Sequence, residues 1–267
     1  LYTKRPMDIL IKENPDFIIN ISASPFDYTH ADDRYAIAKR NTLRYNLPLI
    51  YCTTVGAQTE LVFDGGSFVC DAKGNLQKQL AFFEESMESI VWSASKGFEA
   101  PIIRPAIEMP DEEIDFDFFN YNHNIHLIYQ ALILGIRQYF EKMNFKQAIV
   151  ASSGGIDSAV TLALACDALG AENVFALMMP SQFSTGHSVD DAVQLSQNLN
   201  NPYEIVAIKE IFENITAKLE PIFKQMPFNV AEENIQSRIR GVLAMAVSNK
   251  HNYILLNTSN KSELATG

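Results

Sequence analysis

Six residues, Ser153-Gly154-Gly155-Ile156-Asp157-Ser158, constrain this chain more than any other stretch. They lie between a short apolar run, Gln147-Ala148-Ile149-Val150-Ala151, and a longer helix-like apolar run from Ala159 to Leu169. A strand, a glycine turn and a helix start, in that order, make an anion site. Backbone N–H groups at the helix N-terminus point at the ligand, and the helix dipole favours negative charge. Gly154 and Gly155 are expected to let the backbone come close and to take dihedrals that other residues resist. Ser153 and Ser158 would add hydroxyl donors. Asp157 changes the reading. A carboxylate beside phosphates repels them unless a cation lies between, and Mg2+ takes oxygen ligands and prefers phosphate-rich sites. The pattern therefore reads as nucleotide phosphates plus a divalent ion. It is not the G-x-x-x-x-G-K-[ST] loop, because no Lys follows the glycines. The plainer alternative is a Ser/Gly turn capping a helix, with Asp157 as a first-turn acid that suits the dipole.

The chain's 267 residues allow one large domain or two modest ones, and 47% hydrophobic content supports a real core. A net charge of −11 argues against a protein built on nucleic-acid phosphates or on an anionic membrane. Such a protein must gather its few cations locally, or borrow a metal, to handle anionic nucleotides. No apolar run approaches the roughly 18 residues that a membrane helix requires. Cys52, Cys70 and Cys166 all fall in apolar runs and are expected to be buried reduced thiols, which fits the cytoplasm. The chain opens at Leu1 and stops inside a helix-like stretch at Ala265-Thr266-Gly267, the expectation for part of a longer polypeptide.

Residues 1–93 read as mixed α/β. Pro6 to Glu13 reads as a short helix, and Phe17 to Ile21 as a buried strand. Thr29-His30-Ala31-Asp32 resembles a capping box, with Asp where Glu is usual. Leu49 to Val55 reads as a strand, and Asp64 to Cys70 with the turn Asp71-Ala72-Lys73-Gly74 as part of a hairpin. Residues 95–120 read as a linker, punctuated by Pro101, Pro105 and Pro110 and carrying an acidic run from Asp111 to Asp117. From 122 onward strands alternate with helices, the signature of a doubly wound parallel sheet. An amphipathic helix comes first (Ile125, Ile128, Leu132, Ile136, Tyr139), followed by strands at Ala148–Ala151, Val174–Met179, Tyr203–Val206 and Tyr253–Leu256. Between them lie helices starting near Ser188, Ile211, Glu232 and Lys261. Ligands in such sheets bind at the C-terminal strand ends, where Ser153 and Thr258 would both lie.

Ser-Gly-Gly-x-Asp-Ser after a strand resembles the pyrophosphate loop of N-type ATP pyrophosphatases. Three further stretches narrow the resemblance: Met179-Pro180-Ser181, Glu233 to Arg240, and Asn257 to Gly267. With the loop they resemble the glutamine-dependent NAD synthetase family, whose synthetase domain has an adenine nucleotide α-hydrolase-like fold. The resemblance implies ATP-dependent amidation of deamido-NAD (nicotinic acid adenine dinucleotide) with ammonia, with ATP and Mg2+ bound. It implies that Ala151, Ser152, Ser153, Gly154, Gly155, Ile156, Asp157 and Ser158 hold ATP phosphates, that Thr258 contacts ATP, and that Asp157 ligates Mg2+. Glu263 matches a position that binds metal or the deamido-NAD side. Asn234 and Arg238 match deamido-NAD contacts. For Asn234, Arg238 and Arg240 the plainer alternative is a charged helix face, and for Glu263 a helix N-terminal acid.

Asn20-Ile21-Ser22-Ala23-Ser24-Pro25-Phe26 and Phe63-Asp64-Gly65-Gly66-Ser67-Phe68 resemble the second half of a nitrilase-type glutamine amidase domain. The division implied is 1–94 for that partial α/β sandwich, 95–120 for a linker and 121–267 for the synthetase domain. Ser24 matches a glutamine contact and His30 a nearby basic position, although His30 also suits a helix-cap surface role. The family's nucleophilic Cys, its Lys and its Glu precede the stretch that begins this chain, so none of the three cysteines occupies the matching place. The partners implied are deamido-NAD, ATP and glutamine or ammonia, in a homo-oligomer without nucleic acid or membrane. Three alternatives stay open: another adenylating pyrophosphatase such as GMP or asparagine synthetase, a nucleotide-binding module without chemistry, and a stand-alone amidase, which the missing nucleophile disfavours.

Overall fold

The computed structural model describes residues 5–93, 97–99, 121–224 and 226–266. The chain forms two compact units, Leu1–Tyr139 and Phe140–Gly267. Of the expected 95–120 linker, all but residues 97–99 lies outside the described residues, including its prolines and acidic run.

The first unit holds α1 (Pro6–Leu10), β1 (Ile18–Ser22), α2 (His30–Tyr45), β2 (Leu49–Thr53), β3 (Val55–Gln58) and β4 (Leu61–Asp64). It continues through β5 (Phe68–Cys70), β6 (Leu76–Gln79), β7 (Val91–Ser93), β8 (Gly97–Glu99) and most of α3 (Tyr121–Met143). Its main sheet runs β1-β2-β5-β6, with β1 and β2 parallel and the other two pairings antiparallel. The expected hairpin after Asp64 is the β5–β6 pair. The α2 side of this sheet carries a core of Ala38, Leu49, Phe68, Cys70 and Leu76, with Tyr51 stacked on Phe68 at 5.0 Å between ring centroids.

Two local expectations are corrected. Thr29 precedes α2 but makes no capping hydrogen bond. Its hydroxyl donates instead to Asp27 Oδ1 at 2.8 Å, and the same oxygen accepts from Thr29 N–H at 2.9 Å, which closes an Asx turn. Cys52 is exposed, whereas Cys70 and Cys166 are buried. The cause is strand alternation: Leu49 and Tyr51 face the α2 core, so Cys52 falls on the opposite face, in register with Ile21, which is 83% exposed.

This contrast is testable by thiol titration. Burial pushes the Cys70 thiol up to about 12 and the Cys166 thiol up to about 11. Native protein at pH 8 should label rapidly with a thiol reagent at Cys52 alone, and Cys52→Ser should abolish that fast phase. An unfolded thiol releases its proton at about pH 8.5, while the two buried thiols keep theirs. The unfolded state then binds fewer protons, so stability falls as the pH climbs from there through about 11 to 12.

The second unit holds β9 (Ala148–Ala151), α4 (Ile156–Leu169), β10 (Val174–Met178), α5 (Gly186–Leu199) and β11 (Tyr203–Ile205). It closes with α6 (Lys209–Phe223), α7 (Val230–His251), β12 (Ile254–Leu256) and the short α8 (Lys261–Thr266). The sheet order is β11-β10-β9-β12, all parallel. Ala148, Ile149, Val150, Val174 and Ala176 show no exposed surface, as expected of strands covered on both faces. Ile149 and Leu177 pack with Ile208, Phe212, Ile239 and Ala244 from the α6–α7 side, while α4 lies against β9 and β10. The chain runs β9, β10, β11 in one direction and then returns to place β12 on the other side of β9. The order therefore reverses beside the C-terminal end of β9, where doubly wound sheets bind ligands. Helix α5 is capped by Thr185, whose Oγ accepts from Ser188 N–H, so the helix starts earlier than the Ser188 expected. Asn229 and Glu232 form a capping box at α7, a pairing the Asn-x-x-Glu spacing carries in the sequence.

Candidate functional site

β9 ends at Ala151, and the chain turns through Ser152 to Gly155 into α4. Ser152 N–H donates to Leu177 O at 3.0 Å, tying the first loop residue to β10. Gly154 sits at φ +81, and a Cβ there would lie 2.1 Å from the carbonyl oxygen of Ser188. Only glycine lets the loop pass this close to the start of α5. Gly155 differs from the expectation. Its φ of −85 and ψ of 160 are ordinary extended values, so its dihedrals would suit other residues. It is the N-cap of α4, and no side chain caps that end, which leaves the helix N-terminus open to an external acceptor.

The two serines also hold the loop together through their hydroxyls. Ser158 is buried; its Oγ donates to Gly155 O at 2.9 Å and accepts from Ser153 N–H at 3.2 Å. Ser153 Oγ accepts from Gly155 N–H at 3.2 Å and lies 3.2 Å from Ser158 Oγ. The hydroxyls brace the loop from within, which fixes the direction of its backbone amides. Ile156 and Asp157 follow in the first turn of α4, both exposed.

The loop borders a cavity of about 330 Å³ lined by Ala151, Ser152 and Ser153 from the β9 end and by Leu177 to Pro180 from the β10 end. Ser184, Ser188, Val189 and Ala192 close it from the α5 side, and Arg240 from α7. Ser152 is 4% exposed, and its Oγ has no hydrogen-bond partner among the described residues. Sequence reasoning missed the α5 contribution and left Arg240 as a helix-face charge. The serine-rich stretch Ser181 to Ser188 was the available signal for the first. For Arg240 it was adjacency to Ile239, which is buried at 5% exposure.

Thr258 lies half-buried just past β12, which neighbours β9, so it shares the C-terminal edge with the loop as expected. Asn234 and Arg238 are exposed and four residues apart on α7, hence on one face. Glu263 closes a reciprocal cap on α8: Asn260 N–H donates to Glu263 Oε2 at 3.2 Å, and Glu263 N–H donates to Asn260 Oδ1 at 3.0 Å. No cluster of three or more His, Cys, Asp or Glu side chains occurs among the described residues.

In the first unit, Ser24 is half-buried between β1 and α2. His30 opens α2, with its Nδ1 3.1 Å from Pro25 O, a local helix-start contact. The chemistry that sequence reasoning overlooked here is an ion pair. Arg34, 7% exposed, and Asp64, 1% exposed, make a two-pronged contact, with Nη1 donating to Oδ1 at 2.9 Å and Nη2 to Oδ2.

An open helix N-terminus after a glycine turn, at the switch point of a parallel sheet and beside a cavity, defines a doubly wound α/β protein with a place for an anionic ligand. Residues 128–267 match the NAD synthase family model, and the chain belongs to that family. It is 38% identical over 266 residues to the glutamine-dependent NAD(+) synthetase of Synechocystis sp., covering 100% of this chain and 45% of that protein. It is 36% identical over 269 residues to the enzyme of the same name from Aquifex aeolicus. The solved glutamine-dependent NAD+ synthetase of Acinetobacter baumannii, in complex with ADP, superposes with a TM-score of 0.87 at 33% identity. That superposition covers 98% of this chain and 47% of the other. A Cytophaga hutchinsonii glutamine-dependent NAD(+) synthetase, 18% identical with a TM-score of 0.75, shares the fold. The chain spans about half the length of the curated relatives it matches. Among the described residues no helix is long and apolar enough to cross a membrane.

Proposed function

We propose that this chain carries the ligase site of an NAD synthase that amidates deamido-NAD to NAD at the expense of ATP. The observation that carries the reading is the Ser153–Ser158 loop, which opens the uncapped end of α4 beside a cavity at the C-terminal edge of β9 and β10. A carboxylate is a poor acyl donor. Its oxygen attacks the α-phosphorus of ATP, and pyrophosphate leaves. Ammonia then attacks the acyl carbon of the mixed anhydride, and AMP departs with the carboxylate's oxygen. Both steps develop charge on phosphate oxygens, so the protein's task is to position the groups and to stabilise that charge.

The residues divide accordingly. The amides after Gly155 hold phosphate oxygens, while Ser153 and Ser158 keep the loop in shape. Asp157 would hold Mg2+, with Glu263 as the second carboxylate once released from its cap; the ion supplies neutralisation of the triphosphate. Thr258 contacts ATP, and Asn234 and Arg238 contact deamido-NAD. Ammonia comes from glutamine hydrolysed by a nitrilase-like domain, of which residues 1–94 form part, with Ser24 and His30 on the glutamine side. Residues 121–267 form the synthetase domain, and 95–120 join the two. The raised thiol pKa values of Cys70 and Cys166 suit core residues rather than nucleophiles. A cytoplasmic homo-oligomer completes the proposal.

The assay is mass spectrometry of protein incubated with deamido-NAD, ATP, Mg2+ and ammonium. NAD, AMP and pyrophosphate in equal amounts are expected. Turnover of XMP or aspartate in place of deamido-NAD would reassign the chain to a sister ligase, and ATP binding without any product would leave it a nucleotide-binding module.

A further inference from the structure

Among the described residues Arg240 is the one charged residue lining the cavity. It projects from α7 next to the buried Ile239, and its Nε–H donates to Met179 O at 3.0 Å, just past β10. Among the described residues this is its only hydrogen bond, and no carboxylate pairs with it. The four N–H donors on its two Nη atoms are left over. Burial without a counter-charge disfavours the charged form and lowers its pKa. A guanidinium partly withdrawn from water without a counter-charge is favoured by an anion entering the cavity. The second observation is Ser152. The residue lines the same cavity, and its buried hydroxyl has no partner among the described residues. Two residues with unspent polar groups therefore border one cavity, which the loop before α4 also lines.

We propose that Arg240 is the cationic arm of the nucleotide site, gripping a phosphate oxygen of bound ATP through its Nη groups while its Nε–H holds it to the Met179 carbonyl. The inference rests on the ligase reading given above and adds a residue to it. The Nε anchor fixes the plane of the guanidinium before the ligand arrives, so little side-chain freedom is lost on binding. In a protein of net charge −11, a local cation at the loop adds to the pull of the α4 amides on a triphosphate.

The test is a binding ladder of adenosine, AMP, ADP and ATP, by calorimetry, for the wild type, Arg240→Met and Arg240→Lys. Arg240→Met should weaken ATP and ADP by about 10- to 100-fold, as expected for hydrogen bonds to a charged group, and leave adenosine within about twofold. Arg240→Lys keeps the charge without the fork and should fall between the two. In turnover, the loss should appear in KM for ATP more than in kcat. An equal loss for adenosine and ATP would make Arg240 a base contact or a brace for Met179 and overturn the proposal, as would no loss in either. If Arg240→Met does not fold, Arg240→Lys with wild-type affinities for every nucleotide overturns it too. The parent reading fails separately: wild-type protein that makes no NAD refutes the ligase assignment, whereas an active wild type with an indifferent Arg240→Met refutes only this inference.

Discussion

Asp157→Asn is expected to lower the rate of ATP-dependent amidation by about 100-fold or more, roughly 2.7 kcal/mol of barrier, while ATP affinity stays within about threefold. The asymmetry follows from where the groups sit. The open helix end behind Gly155 supplies the backbone donors and does not depend on the Asp157 side chain. The carboxylate is exposed in the first turn of α4, and among the described residues it belongs to no larger cluster of ligands that could replace it. Asparagine keeps the shape and removes the charge that would tether Mg2+. Raising Mg2+ should restore part of the lost rate, because a weakened metal site is refilled by mass action. Steady-state kinetics against ATP and Mg2+, with calorimetry for the affinity, make the check. Activity within about threefold of wild type, a loss well under 1.4 kcal/mol, would remove Asp157 from the metal site.

Asp64→Ala should cost the first unit about 3–5 kcal/mol, because it strands the Arg34 guanidinium in a site from which water is excluded. Both partners are nearly fully buried, and the contact is two-pronged. The pair joins the second turn of α2 to the end of β4, through residues 30 apart in sequence. Urea unfolding followed by fluorescence of Trp92, the chain's single tryptophan, reports on this unit alone. Arg34→Met combined with Asp64→Leu should recover most of the loss, since an apolar replacement leaves no buried charge. A single Asp64→Ala variant within about 1 kcal/mol of wild type would mean that water reaches the guanidinium.

The parallel sheet was legible because its strands are short apolar runs separated by helices with a 3.6-residue repeat. Ala148–Ala151 was delimited to the residue for this reason. The loop was legible because glycines between a strand and a helix leave few other readings. The misjudged details share one cause. Thr29 and Ser188 both had the residue type of a cap, but capping depends on which neighbouring acceptor or N–H comes within reach. Asp27 and Thr185 decided that competition. Cys52 belonged to an apolar run, and only the register of β2 on β1 and β5 told which face it takes.

From its residues alone this chain determined a glycine loop between strand and helix and the doubly wound sheet that presents it, because local spacing and periodicity encode both; the likeness to a family came from its motifs. Tertiary structure decided what surrounds the loop. Ser158 turns inward and braces the loop with Ser153, Ser188 presses on Gly154, and Arg240 crosses 61 residues of sequence to reach Met179. Contacts at that separation depend on how α5 and α7 settle on the sheet, and no local pattern carries that information.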